Sequence, residues 1–305
     1  MNYWTIDLKD LPSEGVVYNK LDCEPYIKIH PLTVGNCKYL TTINPNDAER
    51  TTKMLNEVLQ SCMDTNIPFG ELVVADRNWL LFWVRVNSFI NSNGYNVKID
   101  CPQCGKQIIK NIKLDDLNIR KFSECELRQF PVETENGDKF ITCSKIPRVR
   151  DKHYVLEDKD IEDILNYTDI DNFIKDNQDP VWFVSRLDAY EFAKLKTLAK
   201  KSKFGIDEIT KIKCDDCQQE LTVQLDMSDT NVFGHISLFE VLKIQLQVSK
   251  YCGFQISDDT SYSEVEIIQD VIKQLIQEEE AANNEAKGNM MSLTRPKINM
   301  PSFHR

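Results

Sequence analysis

The chain has 305 residues, of which 41% are hydrophobic and 28% charged, a composition typical of a globular protein of about two domains. Lys plus Arg number 37 against 48 Asp plus Glu, and the resulting net charge of -11 disfavours nucleic acid or an anionic membrane as partner. No stretch approaches the ~18 uninterrupted apolar residues of a membrane span, and Asp7 and Asp10 stand where a signal peptide is basic and apolar. We therefore expect a cytoplasmic protein whose partners are other proteins.

Two helices are predicted before residue 90. Asn46, with a glutamate three residues later, is a capping signal, and the apolar residues between Met54 and Cys62 recur at helical spacing. Asp76 is predicted to cap a second helix that is apolar nearly all round from Trp79 to Ile90. The first helix should therefore be amphipathic, and the second should lie in the middle of the core.

Four of the ten cysteines form two Cys-x-x-Cys turns, here called knuckles: Cys101 with Cys104, and Cys214 with Cys217. Alternating apolar residues on both sides of each knuckle predict that it lies at the tip of a β-hairpin. One knuckle presents two thiolates, and two knuckles complete the tetrahedral shell of Zn²⁺. The sequence therefore predicts one structural Zn²⁺ bound by these four cysteines.

Two other interpretations of the knuckles remain open, a redox dithiol and a set of unmetallated thiols. A redox dithiol favours a strand and a helix around one pair. The first knuckle is followed by Gly105, which permits a left-handed backbone, whereas Gln218 takes that position after the second. Six further cysteines are predicted to be small buried apolar residues: Cys23, Cys37, Cys62, Cys125, Cys143 and Cys252.

No catalytic site is predicted. Four cysteine ligands leave no open position on a zinc ion for water. The sequence also lacks a Gly-x-Ser-x-Gly motif, a phosphate-binding loop and a Rossmann fingerprint. We therefore expect neither enzymatic activity nor a small-molecule substrate.

The residues between the knuckles are too many for a loop, so they should form a subdomain. Phe140 to Cys143 resembles a strand, and Asp188 is predicted to cap a helix that ends near Gly205. Residues 151–179 contain ten acidic residues and three lysines without the pattern of a calcium loop. This acidic segment is interpreted as a solvated helical face, and its role stays open.

After the second knuckle the pattern becomes helical. Ser237 and Ser263, each followed by a glutamate three residues later, open two apolar stripes that predict a helical hairpin. The expected fold class is α+β, with the zinc site joining an N-terminal region to an inserted subdomain. Five parts are predicted: 1–117 with the first knuckle, 118–205 as the inserted subdomain, 206–234 with the second knuckle hairpin, 235–281 as the helical hairpin, and 282–305 as an extended tail.

The tail is basic and apolar. From Ala286 to Arg305 there are four basic residues and no acidic one, and Pro296 and Pro301 disfavour regular structure. We predict that the tail lies extended on an acidic, apolar neighbour in an assembly. The residues predicted to bind this partner are Met291, Leu293, Arg295, Ile298, Met300 and Phe303.

The order of these motifs resembles the T4-type bacteriophage baseplate hub proteins, a family that includes assembly factors of the tail hub. The resemblance covers roughly residues 8 to 235 and rests on Leu11-Pro-Ser-Glu-Gly-Val-Val-Tyr18, Pro31-Leu-Thr-Val-Gly35, the helix start Asp76-Arg-Asn-Trp-Leu-Leu81 running to Arg85, Tyr95 before Cys101-Pro-Gln-Cys-Gly105, and Cys214-Asp-Asp-Cys217. It implies that the four knuckle cysteines are metal ligands, and it supplies no catalytic residue. The missing glycine of the second knuckle, the helical hairpin and the tail depart from short members of the family.

The function implied by the resemblance is a hub-associated structural component of the baseplate of a contractile phage tail, made in the host cytoplasm. Its partners would be other baseplate and hub proteins, with the tape-measure protein as a further candidate. The alternative is a tail-assembly chaperone that is absent from the mature virion. A zinc-ribbon module that binds nucleic acid is a third hypothesis, but net charges of +1 for residues 94–116 and -4 for 206–226 provide no basic face.

Overall fold

The computed structural model describes residues 3–44, 46–89, 95–133, 139–170, 174, 179–225, 228–229, 231–233 and 236–293, with the side chains of residue 95 and of 283–293 left out. Within these residues the chain forms eleven short strands and eight α-helices. This mixture confirms the predicted α+β class. The predicted domain boundaries are not tested by it and stay predictions.

The N-terminal region combines one small sheet with three helices. Its antiparallel strands, in spatial order, are β1 (Trp4–Asp7), β2 (Tyr26–Ile29) and β3 (Met63–Asp64). Its helices are α1 (Val34–Leu40), α2 (Ala48–Cys62) and α3 (Val74–Ser88). The predicted stripe of α2 is buried, but the cap is Asp47, whose carboxylate accepts a hydrogen bond from the Arg50 amide, and the prediction of Asn46 was wrong by one residue.

Helix α3 is buried on nearly every side, as its sequence predicts. The prediction that Asp76 caps it is wrong, because the helix begins two residues earlier and Asp76 lies inside its first turn. The carboxylate of Asp76 is fully buried and accepts hydrogen bonds from the Ser13 amide (2.8 Å) and the Tyr18 hydroxyl (2.7 Å). That hydroxyl in turn accepts a bond from the Val73 amide. Asp76 therefore fastens the N-terminal turn to α3.

Four further sheets, each of two antiparallel strands, follow along the chain. Their strands are β4 (Tyr95–Asp100) with β5 (Gln107–Ile112), β6 (Ile119–Arg120) with β9 (Gly205–Ile206), β7 (Gln129–Glu133) with β8 (Lys139–Cys143), and β10 (Ile209–Lys213) with β11 (Glu220–Gln224). The pair β6 and β9 brings the chain back after the segment between the knuckles. The two knuckle hairpins therefore lie on either side of this junction in the sequence.

The part of the chain between β6 and β9 forms a separate hydrophobic cluster. It is built on α4 (Lys159–Tyr167), α5 (Pro180–Ser185) and α6 (Ala189–Ser202), which pack beside β7 and β8. Asp188 caps α6 by accepting bonds from the amides of Tyr190 and Glu191, as predicted. Helix α4 lies in the acidic segment and buries Ile161, Ile164 and Leu165, so this part of the segment also has a packed face.

The two last helices are α7 (Leu238–Cys252) and α8 (Tyr262–Leu293). Helix α8 continues to Leu293, so residues 282–293, which the sequence predicts to be extended, are helical. The reason is that no proline occurs between Tyr262 and Pro296, and good helix formers such as Ala281 and Ala282 outweigh the single Gly288. Nothing is described beyond Leu293.

Both helices contribute to the main core. Val241, Ile244 and Val248 of α7 and Val265 and Ile272 of α8 are buried in it. The strand-like turn before α8 also pairs with the N-terminal region. The amides of Val34, Gly35 and Tyr262 donate to the carbonyls of Thr260, Asp258 and Leu32, respectively.

Truncation after Gly234 should therefore yield insoluble or aggregated protein. It removes seven buried apolar side chains, each worth roughly 1.5 to 3 kcal/mol of burial, and leaves their former contacts open to water. Soluble yield and size-exclusion chromatography measure the effect, and a chain that ends at Leu293 is the control. A soluble, monomeric fragment of residues 1–234 would show instead that α7 and α8 form a separable module.

Candidate metal centre

Each knuckle lies at the tip of a hairpin whose strands pair up to the residue next to it. In the first hairpin the last pair is Asp100 with Gln107, and in the second it is Lys213 with Glu220. The strands alternate buried and exposed side chains, which fixes their register. The structure therefore confirms the prediction that both knuckles lie at hairpin tips.

The first knuckle is a tight turn closed by its own backbone. The Cys101 amide donates to the Lys106 carbonyl (2.9 Å), and the Gly105 amide donates to the Cys101 carbonyl (2.8 Å). Gly105 has a φ of 69°, the left-handed region that residues with a Cβ avoid. Glycine at this position therefore relieves strain in the turn.

The second knuckle repeats this geometry bond for bond. The Cys214 amide donates to the Gln219 carbonyl (2.9 Å), and the Gln218 amide donates to the Cys214 carbonyl (3.0 Å). Gln218 has a φ of 61°, so it adopts the left-handed conformation without being a glycine. The two knuckles have the same backbone design, and the second carries a strain of order 1 kcal/mol that the first avoids.

The four sulfur atoms meet between the hairpin tips. All lie within 4.8 Å of one another, with Cys101 Sγ at 3.6 Å from Cys217 Sγ and Cys104 Sγ at 3.7 Å from Cys214 Sγ. A tetrahedron of sulfurs at the Zn–S length of about 2.3 Å has edges of about 3.8 Å. A disulfide would need about 2.05 Å, and all ten cysteines are free thiols. The cluster therefore has the size of a metal site and could bind an ion.

Backbone amides point at the sulfurs. The pKa of the Cys101 thiol is lowered to about 7. The hydrogen bond from the Cys104 amide is the largest cause, and together with that from the Gln103 amide it outweighs burial, which raises the pKa. At Cys217 the Gln219 amide also lowers the pKa, but burial and the neighbouring thiols outweigh it and raise the pKa to about 12. Four thiolates this close would repel one another, so the thiols do not readily all lose their protons together. A bound divalent cation would offset this repulsion.

The centre rests on a hydrophobic cluster that connects it to the rest of the fold. Cys101 and Cys214 are buried, while Cys104 is exposed and Cys217 half-buried. Phe82 of α3 belongs to this cluster together with Ile108, Ile112, Leu117, Ile212, Leu221, Val223 and Leu225. The two hairpins are thereby packed against each other and against the central helix.

Two ion pairs cross between the hairpins, and the sequence did not reveal them. Lys106 pairs with Asp216, and Lys110 approaches Asp215 at 4.0 Å. Both pairs are exposed, so each contributes little to stability. They do neutralise two lysines beside the knuckles. This agrees with the net charges of residues 94–116 and 206–226, which indicate no basic face. No pattern in one sequence indicates such partners 105 or 110 residues apart.

The other predicted residues are placed as follows. Cys37 and Cys62 are buried as expected, Cys23, Cys125 and Cys143 are half-buried, and Cys252 is exposed near the end of α7. The prediction for Cys252 is wrong, because its position on α7 faces away from the core. Met291 and Leu293 fall within α8 without described side chains, and Arg295, Ile298, Met300 and Phe303 lie outside the described residues.

The fold and the site define an α+β protein with a closed four-cysteine centre that could hold a metal ion. Within the described residues, no helix combines the length and the apolar character needed to cross a membrane. The protein-family model described as T4 bacteriophage base plate protein matches residues 4–203. The chain belongs to this family. Searches of curated proteins and of solved structures gave no significant match.

Membership in the family assigns the chain a structural role in a bacteriophage tail baseplate, with other structural proteins of the phage as partners. The match ends at residue 203, before the second knuckle, whereas the resemblance in the sequence extended to about 235. The assignment of Cys214 and Cys217 to the metal centre therefore depends on the sulfur geometry and not on the family.

Proposed function

We propose that this protein is a hub-associated structural subunit of the baseplate of a contractile phage tail, stabilised by one Zn²⁺ bound to the four knuckle cysteines. The family match over residues 4–203 carries the baseplate role. It includes the N-terminal turn and α3, whose contact through Asp76 joins two of the motifs on which the resemblance rests.

The proposed metal ion is structural. With four thiolates as ligands the shell is complete, so the ion supplies fixed geometry and no position for a substrate. It would close a loop of more than one hundred residues, since Cys104 and Cys214 are 110 positions apart. We propose accordingly that the protein is not an enzyme and has no small-molecule substrate.

The second candidate function is a tail-assembly chaperone for the hub or the tape-measure protein, acting in the host cytoplasm. The observation that favours it is the large number of apolar side chains exposed on α7 and α8. Phe239 and Leu246 are 70% and 71% exposed, and such surfaces mark sites of protein association. A nucleic-acid module is the weakest candidate, because the lysines Lys106 and Lys110 beside the knuckles already have acidic partners.

Mass spectrometry of purified virions tests the choice between subunit and chaperone. If the protein is a baseplate subunit, its peptides should be present in the particles in amounts comparable with those of other baseplate proteins. Their absence from virions, together with their presence in lysates during assembly, would overturn the subunit proposal and support the chaperone. Elemental analysis of the purified chain tests the ion separately, and one zinc per chain is expected.

A further inference from the structure

The outer face of α8 carries an apolar row that no part of the described chain covers. Ile267, Val271 and Leu275 are 53%, 50% and 51% exposed, and they are four residues apart along the helix. Residues at this spacing lie on one side of a helix, about 6 Å apart. These three residues are called the α8 stripe.

The surroundings of the α8 stripe are acidic. Between residues 262 and 282 the helix contains six acidic residues and a single basic one, Lys273. Lys273 is paired with Asp270 at 2.9 Å, which neutralises it locally. A partner of this face should therefore combine apolar side chains with positive charge.

We propose that the α8 stripe binds residues 294–305 of a second copy of this chain. The segment has the required composition: it contains no acidic residue, three basic ones and the apolar residues Ile298, Met300 and Phe303. Pro296 and Pro301 disfavour continuation of the helix and favour an extended chain. Ile298 and Met300 are then about 6.6 Å apart on the same side, close to the spacing of the stripe.

The length of the chain favours another copy as the partner of Ile298 and Met300. Helix α8 ends at Leu293, and Leu275 lies eighteen residues before that end, about 27 Å along the axis. Seven residues from 294 to 300 extend at most about 23 Å. Ile298 and Met300 therefore cannot reach the stripe of their own chain, whereas the same residues of a second copy are under no such limit.

Charge also distinguishes α8 from α7. Helix α7 exposes Leu242 and Leu246, but its charged residues Glu240, Lys243 and Lys250 sum to +1. A basic segment has no electrostatic reason to bind there. Helix α7 therefore provides matched control positions with similar apolar exposure and the opposite sign of charge.

A complementation experiment on the full chain tests the proposal. The chain that ends at Leu293 keeps the stripe and lacks the segment, and Val271→Lys/Leu275→Lys keeps the segment and lacks the stripe. We expect the wild type to self-associate with concentration and to dissociate at high salt in analytical ultracentrifugation. Each variant alone should be a monomer, and an equimolar mixture of the two should form a one-to-one heterodimer. The loss of affinity in the lysine variant should be at least about tenfold.

The control is Leu242→Lys/Leu246→Lys, which should self-associate like the wild type. Circular dichroism should show the same helix content in all variants, since every substituted side chain is at least 43% exposed. A monomeric wild type at all concentrations, an equal loss in the α7 control, or a mixture that stays monomeric would each overturn the proposal. Self-association through the α8 stripe is compatible with a virion subunit and with a chaperone. A negative result here would therefore not contradict the proposed function, which mass spectrometry of virions tests.

Discussion

Cys101→Ser and Cys214→Ser should each abolish zinc binding and leave most of the protein misfolded. Each substitution removes one of four thiolates from a shell that needs all of them. Structural Zn²⁺ contributes on the order of 10 kcal/mol of apparent binding free energy, which is also folding free energy and exceeds the stability of many domains. Without the ion the two hairpins are no longer joined at their tips, and the hydrophobic cluster around Phe82, to which both hairpins contribute, is weakened. Zinc content, soluble yield and thermal melting measure the effect.

Cys252→Ser is the matched control, because Cys252 is exposed and lies outside the cluster. It should bind one zinc per chain and melt within about 2 °C of the wild type. A strong chelator should reproduce the effect of the knuckle variants on the wild type and leave those variants unchanged. If the purified chain contains no zinc and the knuckle variants melt like the wild type, the zinc proposal is wrong.

Asp76→Ala should strongly destabilise the fold at a point outside the four-cysteine cluster. It leaves the Ser13 amide and the Tyr18 hydroxyl buried without their acceptor, and it opens a cavity beside α3. Two such losses cost about 3 kcal/mol or more at pH 7, which lowers the melting temperature by roughly 5 °C or more in a protein of this size. Tyr18→Phe should cost less, because it removes only one of the two donors, and the double variant should show strong coupling.

The effect of Asp76→Ala should depend on pH in a defined direction. Burial raises the pKa of Asp76 from 3.8 to about 6, despite opposing bonds from Ser13 and Tyr18. The carboxyl group of Asp76 therefore binds its proton more tightly in the folded state than in the unfolded state. This proton binding stabilises the fold fully below pH 3.8, and the stabilisation is lost as the pH rises through 6. The deficit of Asp76→Ala against the wild type, about 3 kcal/mol at pH 7, should therefore be larger by about 2 kcal/mol at pH 4.

Urea unfolding of both proteins at several pH values measures this trend. Asp22→Ala is the control, since Asp22 is exposed and its variant should track the wild type at every pH. A deficit that grows with pH would mean that Asp76 is stabilised as a carboxylate by its two donors. A deficit below about 1 kcal/mol at every pH would show that the N-terminal turn is not fastened through Asp76.

Much of the metal centre could be predicted from the sequence because its determinants are local. A Cys-x-x-Cys turn between alternating strands specifies a hairpin tip, and Gly105 marks the position that needs a left-handed backbone. Gln218 was recognised as the residue in the equivalent position, and its φ of 61° bears this out. The same holds for the amphipathic stripe of α2 and the buried character of α3, which follow from spacing within one helix.

The ends of helices were predicted less well, because competing caps stand close together and breakers act weakly. Asp47 and not Asn46 caps α2, and α8 continues past Asn283, Asn284 and Gly288 to Leu293, although the extended tail was predicted from residue 282. Near a helix end the difference between alternatives is a few tenths of a kcal/mol per residue, which other contacts can reverse.

The sequence by itself determined the α+β class, the hairpin tips and the four thiols, since each depends on residues that are neighbours along the chain. Only the tertiary structure decided the role of Asp76, whose partners Ser13 and Tyr18 lie some sixty positions away. The sequence predicted that the four thiols meet, but only the structure shows that Cys101 Sγ lies 3.6 Å from Cys217 Sγ, 116 positions away. Contacts at such separations depend on how whole elements pack, and local preference carries no information about them.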